Sequence, residues 1–535
     1  MLLWVTLIVG TSALLYFVGF PIGWLNFFLP TLGVLAYLLL FLRSRRQSAL
    51  ALVILGAVIA VAMLIAGSLY DISSDGQTYH QEAIILLKDG WNPMLGDPVR
   101  NRHELWINHY AKGSEVFGAV LYWLTGSIEV GKCFNLLLIL ASGVFAFVAL
   151  REFGLAWPSS LWLSCLLAFN PVSLYQVFSY YVDGALSSLL IIFMSALFLA
   201  IKRPWRSDYL VLFASLVLLC TLKFTGLVYA GFLVFGAIAF LFLLGCQQLL
   251  TRLVPVAVAA TIVGVVVVGF NPYVTNLMRQ GHPFYPLAGP SPVDIMTMNM
   301  PANFAGENRV SKFVLATFAR SDSPMVPQVS HLKFPVSLSG SEIKIFKVPD
   351  PRVGAFGPFF AATLVLAFAL TAVACRVRVP GMPVALLLMA MLTCTTLANP
   401  EGWWARYAPQ FWLVPLVLGL WVLRHGKTQR LLRLNALLLA LISLNSALVA
   451  AGYAYGQYVG NRDLRAQLER LRQQPTSIHV NFHEYLANRV RLEKAGVSYV
   501  EVTGKRDPHA ERLVNSNTEI HFDAAREEIA SPSPR

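Results

Sequence analysis

The stretch LYDISSDGQTYHQEAIILLKDGWNP, residues 69–93, follows a long apolar run and carries Asp71, Asp75, His80, Glu82 and Asp89. Carboxylates in such a place can accept a proton, pair with a cation or cap a helix. Three other segments carry ionisable residues at the ends of apolar runs: Asp183 in SYYVDGALSS, Lys223 in TLKFTG and Arg406 in NPEGWWARYAP. An ionisable group at such a boundary is costly unless it meets a partner, water or a ligand. Convergence of such residues from four segments suggests a site. Taken singly, each residue has a plainer reading: a Lys or Arg near a helix end snorkels to the interface, and an Asp at a helix start is a cap.

Within 69–93, Ser74 and Gln77 fit a capping box, with Ser74 as N-cap and Asp75 as the first helical residue. Tyr79 and Glu82, four and seven residues on, then share a helix face with Asp75. The positive end of the helix dipole suits Asp75 to a negative charge and to accepting a proton, or Asp75 simply stabilises the helix start. Asp71, Asp75, His80, Glu82, His103 and His109 offer oxygen and nitrogen ligands, but no H-x-x-x-H or D-x-D spacing occurs. Chemistry without a metal or other cofactor is therefore the expectation, with a divalent ion as the less favoured alternative.

The elements that position these residues are membrane helices. Of 535 residues, 56% are hydrophobic and 13% charged, which is outside the range of a soluble globular chain. The net charge of +13 sits in short clusters between apolar runs: RSRRQ at 43–47, KRPWR at 202–206, the 249–252 turn, RVR at 376–378 and RHGKTQRLLR at 424–433. That is a positive-inside pattern, so the partner is a lipid bilayer and not nucleic acid. About 20 apolar residues cross the hydrocarbon core. Thirteen segments qualify as spans, near 2–20, 26–43, 49–70, 130–150, 157–175, 181–201, 209–222, 226–245, 253–271, 356–375, 381–398, 408–423 and 433–457. The six cysteines all lie in or beside these runs, which indicates no disulfide framework. The N-terminus lacks a basic n-region and a cleavage site, so it reads as a retained helix.

With the N-terminus cytoplasmic, all five basic clusters fall on one side, and Asp71, Asp75, Asp183, Lys223 and Arg406 on the other. The expected organisation is an all-α polytopic membrane protein with a helical hairpin at 1–48, a membrane catalytic domain at 49–458 and a small extracytoplasmic α/β domain at 459–535. The outer loop 71–129 contains two interfacial helices, and the loop 272–355, rich in Pro, Ser and Asn, is mostly irregular. The tail begins with a charged helix, NRDLRAQLERLRQQ, continues as strand, helix and strand in SIHVNF, HEYLANRVRLEKAG and VSYVEV, and ends in ASPSPR, which reads as disordered.

One order of motifs resembles a known family. An apolar helix, the pattern D-x-x-x-Y-x-x-x-A at Asp75, Tyr79 and Ala83, KDGWNP at 88–93 and NHYAKGSEVFGAVLYWLTG at 108–126 together resemble the first external loop of the GT-C glycosyltransferases. By pattern the similarity is greatest to the aminoarabinose transferases acting on lipid A and the protein O-mannosyltransferases. Asp183 matches a second landmark, LKFTGL at 222–227 resembles a turn with a basic residue near the lipid phosphate, and NPYVTNLMRQGHPFYPLAG at 271–289 resembles a stretch of bacterial members. The resemblance covers residues 49–425, in short motifs. It departs from the family in its first two spans, in AKGS where relatives have EKPP, and in WWARY, which has Ala405 where the oligosaccharyltransferase WWDYG has Asp.

The resemblance implies a GT-C-like fold in a bacterial inner membrane, with the C-terminus extracytoplasmic. It implies transfer of a sugar, with inversion, from a polyprenyl-phosphate donor to an extracytoplasmic glycan, lipid or protein. It makes Asp75 the base, with Asp71 as rival, and Asp183 an orienting or second acidic group. Lys223, Arg406 and Arg279 become candidates for the donor phosphate, and Tyr79, Glu82, His109, Lys112 and His282 further substrate contacts. Two other functions compete. A transporter or flippase of lipid-linked saccharides needs charges or helix breaks at mid-membrane. An O-antigen ligase or polymerase relies on Arg and His in a large outer loop.

Overall fold

The structure is a computed structural model that describes residues 1–41, 44–203 and 205–522. Each of the thirteen apolar segments contains a helix, among them Leu2–Phe17, Cys133–Glu152, Asp183–Lys202, Arg206–Leu222, Phe224–Leu243, Met382–Ala398 and Leu413–His425. Among the described residues seven helices are long and apolar enough to cross a membrane, and Leu2–Phe17, Phe360–Arg376 and Met382–Ala398 are shorter apolar helices. Length thus supports a polytopic membrane protein without establishing thirteen crossings. The segment 157–175 is broken, because Pro171 cannot continue Trp157–Ala168 and Asn170 caps a new helix, Pro171–Gln176, through the Val172 amide at 2.9 Å.

Asp183–Lys202 lies at the centre of the bundle, with 78% of its span buried, whereas Trp24–Phe41 lies at the rim with 17%. Leu2–Phe17 packs inward, burying Trp4, Ile8 and Tyr16, with Trp4 edge-on to Phe117 at 5.6 Å. At one end of the bundle the short connections hold one another: Arg203 pairs with Glu152 at 2.9 Å, and Arg424 donates to the Phe153 carbonyl at 3.1 Å. The two long loops, with Asp71, Asp75, Asp183, Lys223 and Arg406, are at the other end.

The first loop contains Gln81–Lys88, Glu104–His109 and Gly113–Thr125. The two helices expected at the membrane surface pack closely against the rest of the protein. Ile84, Ile85, Leu87, Phe117, Val120 and Leu121 are each at most 4% exposed. Their apolar faces pack on each other, and Gly118 lies so near Ile84 that a Cβ there would come within 2.9 Å of its Cδ1. The second loop is irregular as expected, apart from short helices such as Arg309–Phe318.

The tail does not begin as a separate helix. Gln429–Arg472 is one helix of 44 residues, with no proline to stop it before Pro475. At 1.5 Å per residue it is about 66 Å long, roughly twice the hydrocarbon thickness. Its far end supplies Leu464, Leu468 and Leu471 to the core of the C-terminal domain, against Ile478, Val480, Leu492 and Ile520. The expected strand, helix and strand are Ile478–Asn481 (β1), Asn488–Lys494 and Tyr499–Glu501 (β2), with β1 and β2 parallel. Two further short strands, Glu511–Arg512 (β3) and Glu519–His521 (β4), complete a sheet of order β2-β1-β4-β3, in which His479 lies opposite both Val500 and His521. The stretch ASPSPR lies outside the described residues.

Candidate functional site

Arg406 sits in the tight turn Ala405–Tyr407, between Met382–Ala398 and Leu413–His425. Tyr229 Oη donates to the Tyr407 carbonyl at 2.6 Å, and Trp404 Nε1 to the Pro351 carbonyl at 3.0 Å, which fixes the turn to a helix on one side and to the second loop on the other. Arg406 is 7% exposed, and its guanidinium meets three carboxylates. Nη2 is 3.0 Å from Asp75 Oδ2, Nη1 2.9 Å from Asp350 Oδ1, and Nε 3.0 Å from Asp183 Oδ2. The Nε contact pairs charge with charge but lacks the direction of a hydrogen bond. The rings of Tyr181, Trp404 and Tyr407 lie 4.4, 5.1 and 5.4 Å from the guanidinium carbon.

Lys223 joins the group because the chain is extended there, at φ −161° and ψ 147°, between Arg206–Leu222 and Phe224–Leu243. Gly226 permits that reversal, since a Cβ would fall 2.4 Å from the Leu219 carbonyl oxygen. The ammonium is 2.5 Å from Asp183 Oδ1 and 4.0 Å from the centre of the Tyr407 ring. Asp183, with its side chain 1% exposed, therefore holds Lys223 on one oxygen and Arg406 on the other. Asp75 and Asp350 keep side-chain exposures of 31% and 24% and are the carboxylates a ligand can reach. Burial opposes the charge on Arg406, but Asp183 and Asp350 beside it hold it protonated well beyond its usual range. Burial, with the nearby negative charge of Asp75, pushes Asp350 up to about 6 against the pull of Arg406.

The turn before Asp75 is built by Asp71. Asp71 Oδ1 accepts the Ser73 amide at 2.7 Å and Oδ2 the Tyr180 amide at 2.8 Å. Ser73 Oγ then accepts the Gly76 amide at 3.1 Å, so Ser73 caps the helix and not Ser74, one residue from the expected capping box. Ser74 Oγ instead meets Tyr485 Oη at 3.0 Å, and Gln77 donates to the carbonyls of Ser73 and Asn515. Only glycine fits at 76, where a Cβ would sit 2.0 Å from Asp71 Oδ2. Asp71 is fully buried and its carboxyl is raised, by burial first. The rival base is thus placed under the helix start, both of its oxygens taken by backbone amides.

A wide turn, Gly76–His80, separates Asp75 from Gln81–Lys88 and spoils the expected common face. Tyr79 stacks on Trp106 at 5.6 Å, and its hydroxyl is raised by burial and by Asp75. Glu82 points to the C-terminal domain, where Arg489 binds it at 2.7 and 3.2 Å. His80 pairs with Glu115 at 2.6 Å. His109 Nδ1 is 2.7 Å from Asn276 Oδ1, and burial lowers its imidazole. Lys112 donates to the Tyr110 carbonyl and Asn271 Oδ1, both at 2.7 Å, and burial lowers it to about 7. It lines a small cavity with Tyr16, Met94, Val116 and Asn271.

Asp75, Asp183, Lys223 and Arg406 are therefore brought together, as their placement in the sequence suggests. Arg279 and His282 are not: Arg279 is exposed and donates to the Gly96 carbonyl at 3.3 Å, and His282 Nδ1 accepts the Phe284 amide at 3.2 Å. Asp350 and Arg352 are not among the residues the sequence singles out, although VPDPRVG, an aspartate between two prolines with an arginine after the second, is a usable signal. Arg352 is 3.9 Å from Asp350 Oδ2, and its guanidinium carbon 5.0 Å from the Trp404 ring. Among the described residues no group of three or more His, Cys, Asp or Glu side chains is placed to hold a metal ion.

Two solved structures are similar over most of the chain. ArnT from Cupriavidus metallidurans in the apo state is 12% identical, with 86% of this chain and 87% of that chain covered and a TM-score of 0.46. The same protein bound to undecaprenyl phosphate has the same identity and coverage and a TM-score of 0.40. No family model matches the chain, and no curated protein matches it.

Proposed function

We propose that the chain is an integral membrane glycosyltransferase that moves a sugar from a polyprenyl-phosphate donor to an extracytoplasmic glycan, lipid or protein, with Asp75 as base. The observation that carries this reading is the convergence of Arg406, Lys223 and a reachable Asp75 carboxylate at one end of the bundle. A departing phosphate needs cations, and an attacking hydroxyl needs a base. Arg406 and Lys223 serve the first need, oriented by Asp183. Arg406 engages only Oδ2 of Asp75, which leaves Oδ1 for an acceptor hydroxyl. Lys112, in its largely apolar cavity, is a further cation for the lipid headgroup. Attack opposite the phosphate inverts the anomeric centre. The motif resemblance to GT-C enzymes supports the same reading, and the basic clusters at the opposite end favour an outer-face site. Gathering of charge at one end, and not at mid-depth, favours an enzyme over a transporter.

The test is transfer by the purified chain in nanodiscs, with radiolabelled polyprenyl-phosphate sugars. Asp75→Asn is expected to stay folded and lose transfer. Wild-type rates in that variant overturn the base assignment, and an inactive wild type across a panel of such donors and outer-membrane or cell-wall acceptors overturns the function.

A further inference from the structure

We propose that Asp350 is a second catalytic carboxyl of this site: the acid that protonates the departing phosphate oxygen while Asp75 takes the proton of the acceptor. This rests on the function proposed above.

Asp350 belongs to the second loop, but its position is built as firmly as that of a helical residue. Asp322 and Val353 exchange backbone hydrogen bonds at 3.1 Å, the Arg352 amide donates to the Asp322 carbonyl at 3.0 Å, and Ser323 Oγ donates to the Asp350 carbonyl at 2.8 Å. Trp404 Nε1 holds the next carbonyl, of Pro351, at 3.0 Å, so the loop is tied to the turn that carries Arg406. The result is two carboxyls on the two adjacent terminal nitrogens of one planar guanidinium, Asp350 on Nη1 and Asp75 on Nη2. A phosphate drawn to Arg406 must approach those same nitrogens, and so comes within reach of both carboxyls. The groups that act on Asp350 are Arg406, Asp75 and Arg352, with Tyr175 and Tyr181 nearby. Already raised to about 6, it rises further when a phosphate adds negative charge beside it, so it carries a proton in the loaded enzyme at near-neutral pH.

The step balances. The acceptor oxygen bonds to the anomeric carbon and its proton passes to Asp75. The bond from that carbon to the phosphate oxygen breaks, its electron pair stays on that oxygen, and the proton of Asp350 joins it. The lipid phosphate leaves as a monoanion. Asp75 and Asp350 then exchange protons with water through their exposed edges, which resets the pair. Two carboxyls in different environments dividing acid and base roles is a recurrent arrangement.

The experiment is the pH dependence of transfer by the full chain in nanodiscs, for wild type, Asp350→Asn and Asp350→Glu. Each is assayed with a polyprenyl-phosphate sugar and with its phosphorothioate analogue, whose leaving group is less basic. Wild type should lose rate as pH rises above neutrality, as the acid deprotonates. Asp350→Asn should be roughly 100-fold slower with the phosphate donor, the low end for general acid catalysis because phosphate leaves readily, and should lack that alkaline limb. With the phosphorothioate donor its deficit should shrink several-fold. Asp350→Glu should restore the limb at a shifted pH, which keeps the test open should the amide variant fold poorly. An Asp350→Asn enzyme that keeps the alkaline limb and is equally slow with both donors overturns the proposal, because that is how a residue acts when it only positions Arg406. A wild type inactive on both donors overturns the parent reading instead.

Discussion

Two buried arginines organise this molecule, and they differ in what they leave free. Arg491, 3% exposed, reaches from the C-terminal domain into the first loop. Its Nε and Nη2 both bind Glu129 Oε1, at 3.1 and 2.9 Å, Nη1 binds Gln77 Oε1 at 2.7 Å, and Nη2 also donates to the Asp71 carbonyl at 2.7 Å. Its partners are as buried as it is, and Glu129 is held on its other oxygen by Lys132 at 2.7 Å. Arg406 is nearly as buried, but two of its three carboxylates touch solvent, its Nε lacks a directed bond, and its flanks are aromatic faces. An arginine with every donor closed by buried acceptors is a lock. One whose partners are reachable can trade them for a phosphate.

The largest expected effect lies on the Arg406 side of this contrast. Asp75→Asn should slow transfer by about 10²–10⁴-fold, the range of general base catalysis, with Tm almost unchanged by thermal unfolding in detergent. On the other side, Arg491→Met should cost about 3–5 kcal/mol of stability, as removal of one partner from a buried pair does, and should speed hydrogen exchange in 71–82. If the two variants lose activity and stability in equal measure, the division between lock and site fails. Lys112 comes next. Its ordinary value is 10.5 and its folded value about 7, so the folded state is penalised by an amount that is nil above 10.5, grows as pH falls toward 7 and is level below. Lys112→Met should therefore stabilise the fold, by about 2 kcal/mol more at pH 7 than at pH 9, read as a larger rise in Tm at the lower pH. Glu82→Gln, which leaves Arg489 a neutral partner at a half-open edge, should cost about 1 kcal/mol, read by the same melts. Arg279→Ala, on the surface, should change stability by no more than about 0.5 kcal/mol and leave the transfer rate as it is.

What could be read from sequence follows the same contrast. Asp75, Asp183, Lys223 and Arg406 stood out because an ionisable residue is rare beside a membrane span and needs a reason to be there. Asp350 lies in a polar, proline-rich loop, where aspartate is ordinary, and Arg489 and Arg491 lie in a soluble-looking helix, where arginine is ordinary. The importance of Asp350 comes from Arg406, 56 positions away, and that of the two arginines from residues some 400 positions away, which no local pattern encodes. The shift of the cap from Ser74 to Ser73 has a similar cause: Asp71 binds two backbone amides, one of them at Tyr180. Arg279 and His282 stand out only through the stretch they belong to, whose buried part is 271–276 and whose Arg279 end is exposed. Helix positions were legible because apolar runs of span length have few other uses.

The long helix Gln429–Arg472 carries the lock back to the start of the chain, and that imposes an order in time on biogenesis. Gln77 leaves the ribosome 414 residues before Arg491, its clamp. At 5–20 residues per second that is a delay of roughly 20–80 s. Through that interval the nascent chain holds the Asp75 turn without Arg489, Arg491 or Tyr485. A chain released between residues 408 and 484 carries every side chain of the Arg406 cluster but lacks Tyr485, Arg489 and Arg491, the contacts that tie its first loop to the C-terminal domain.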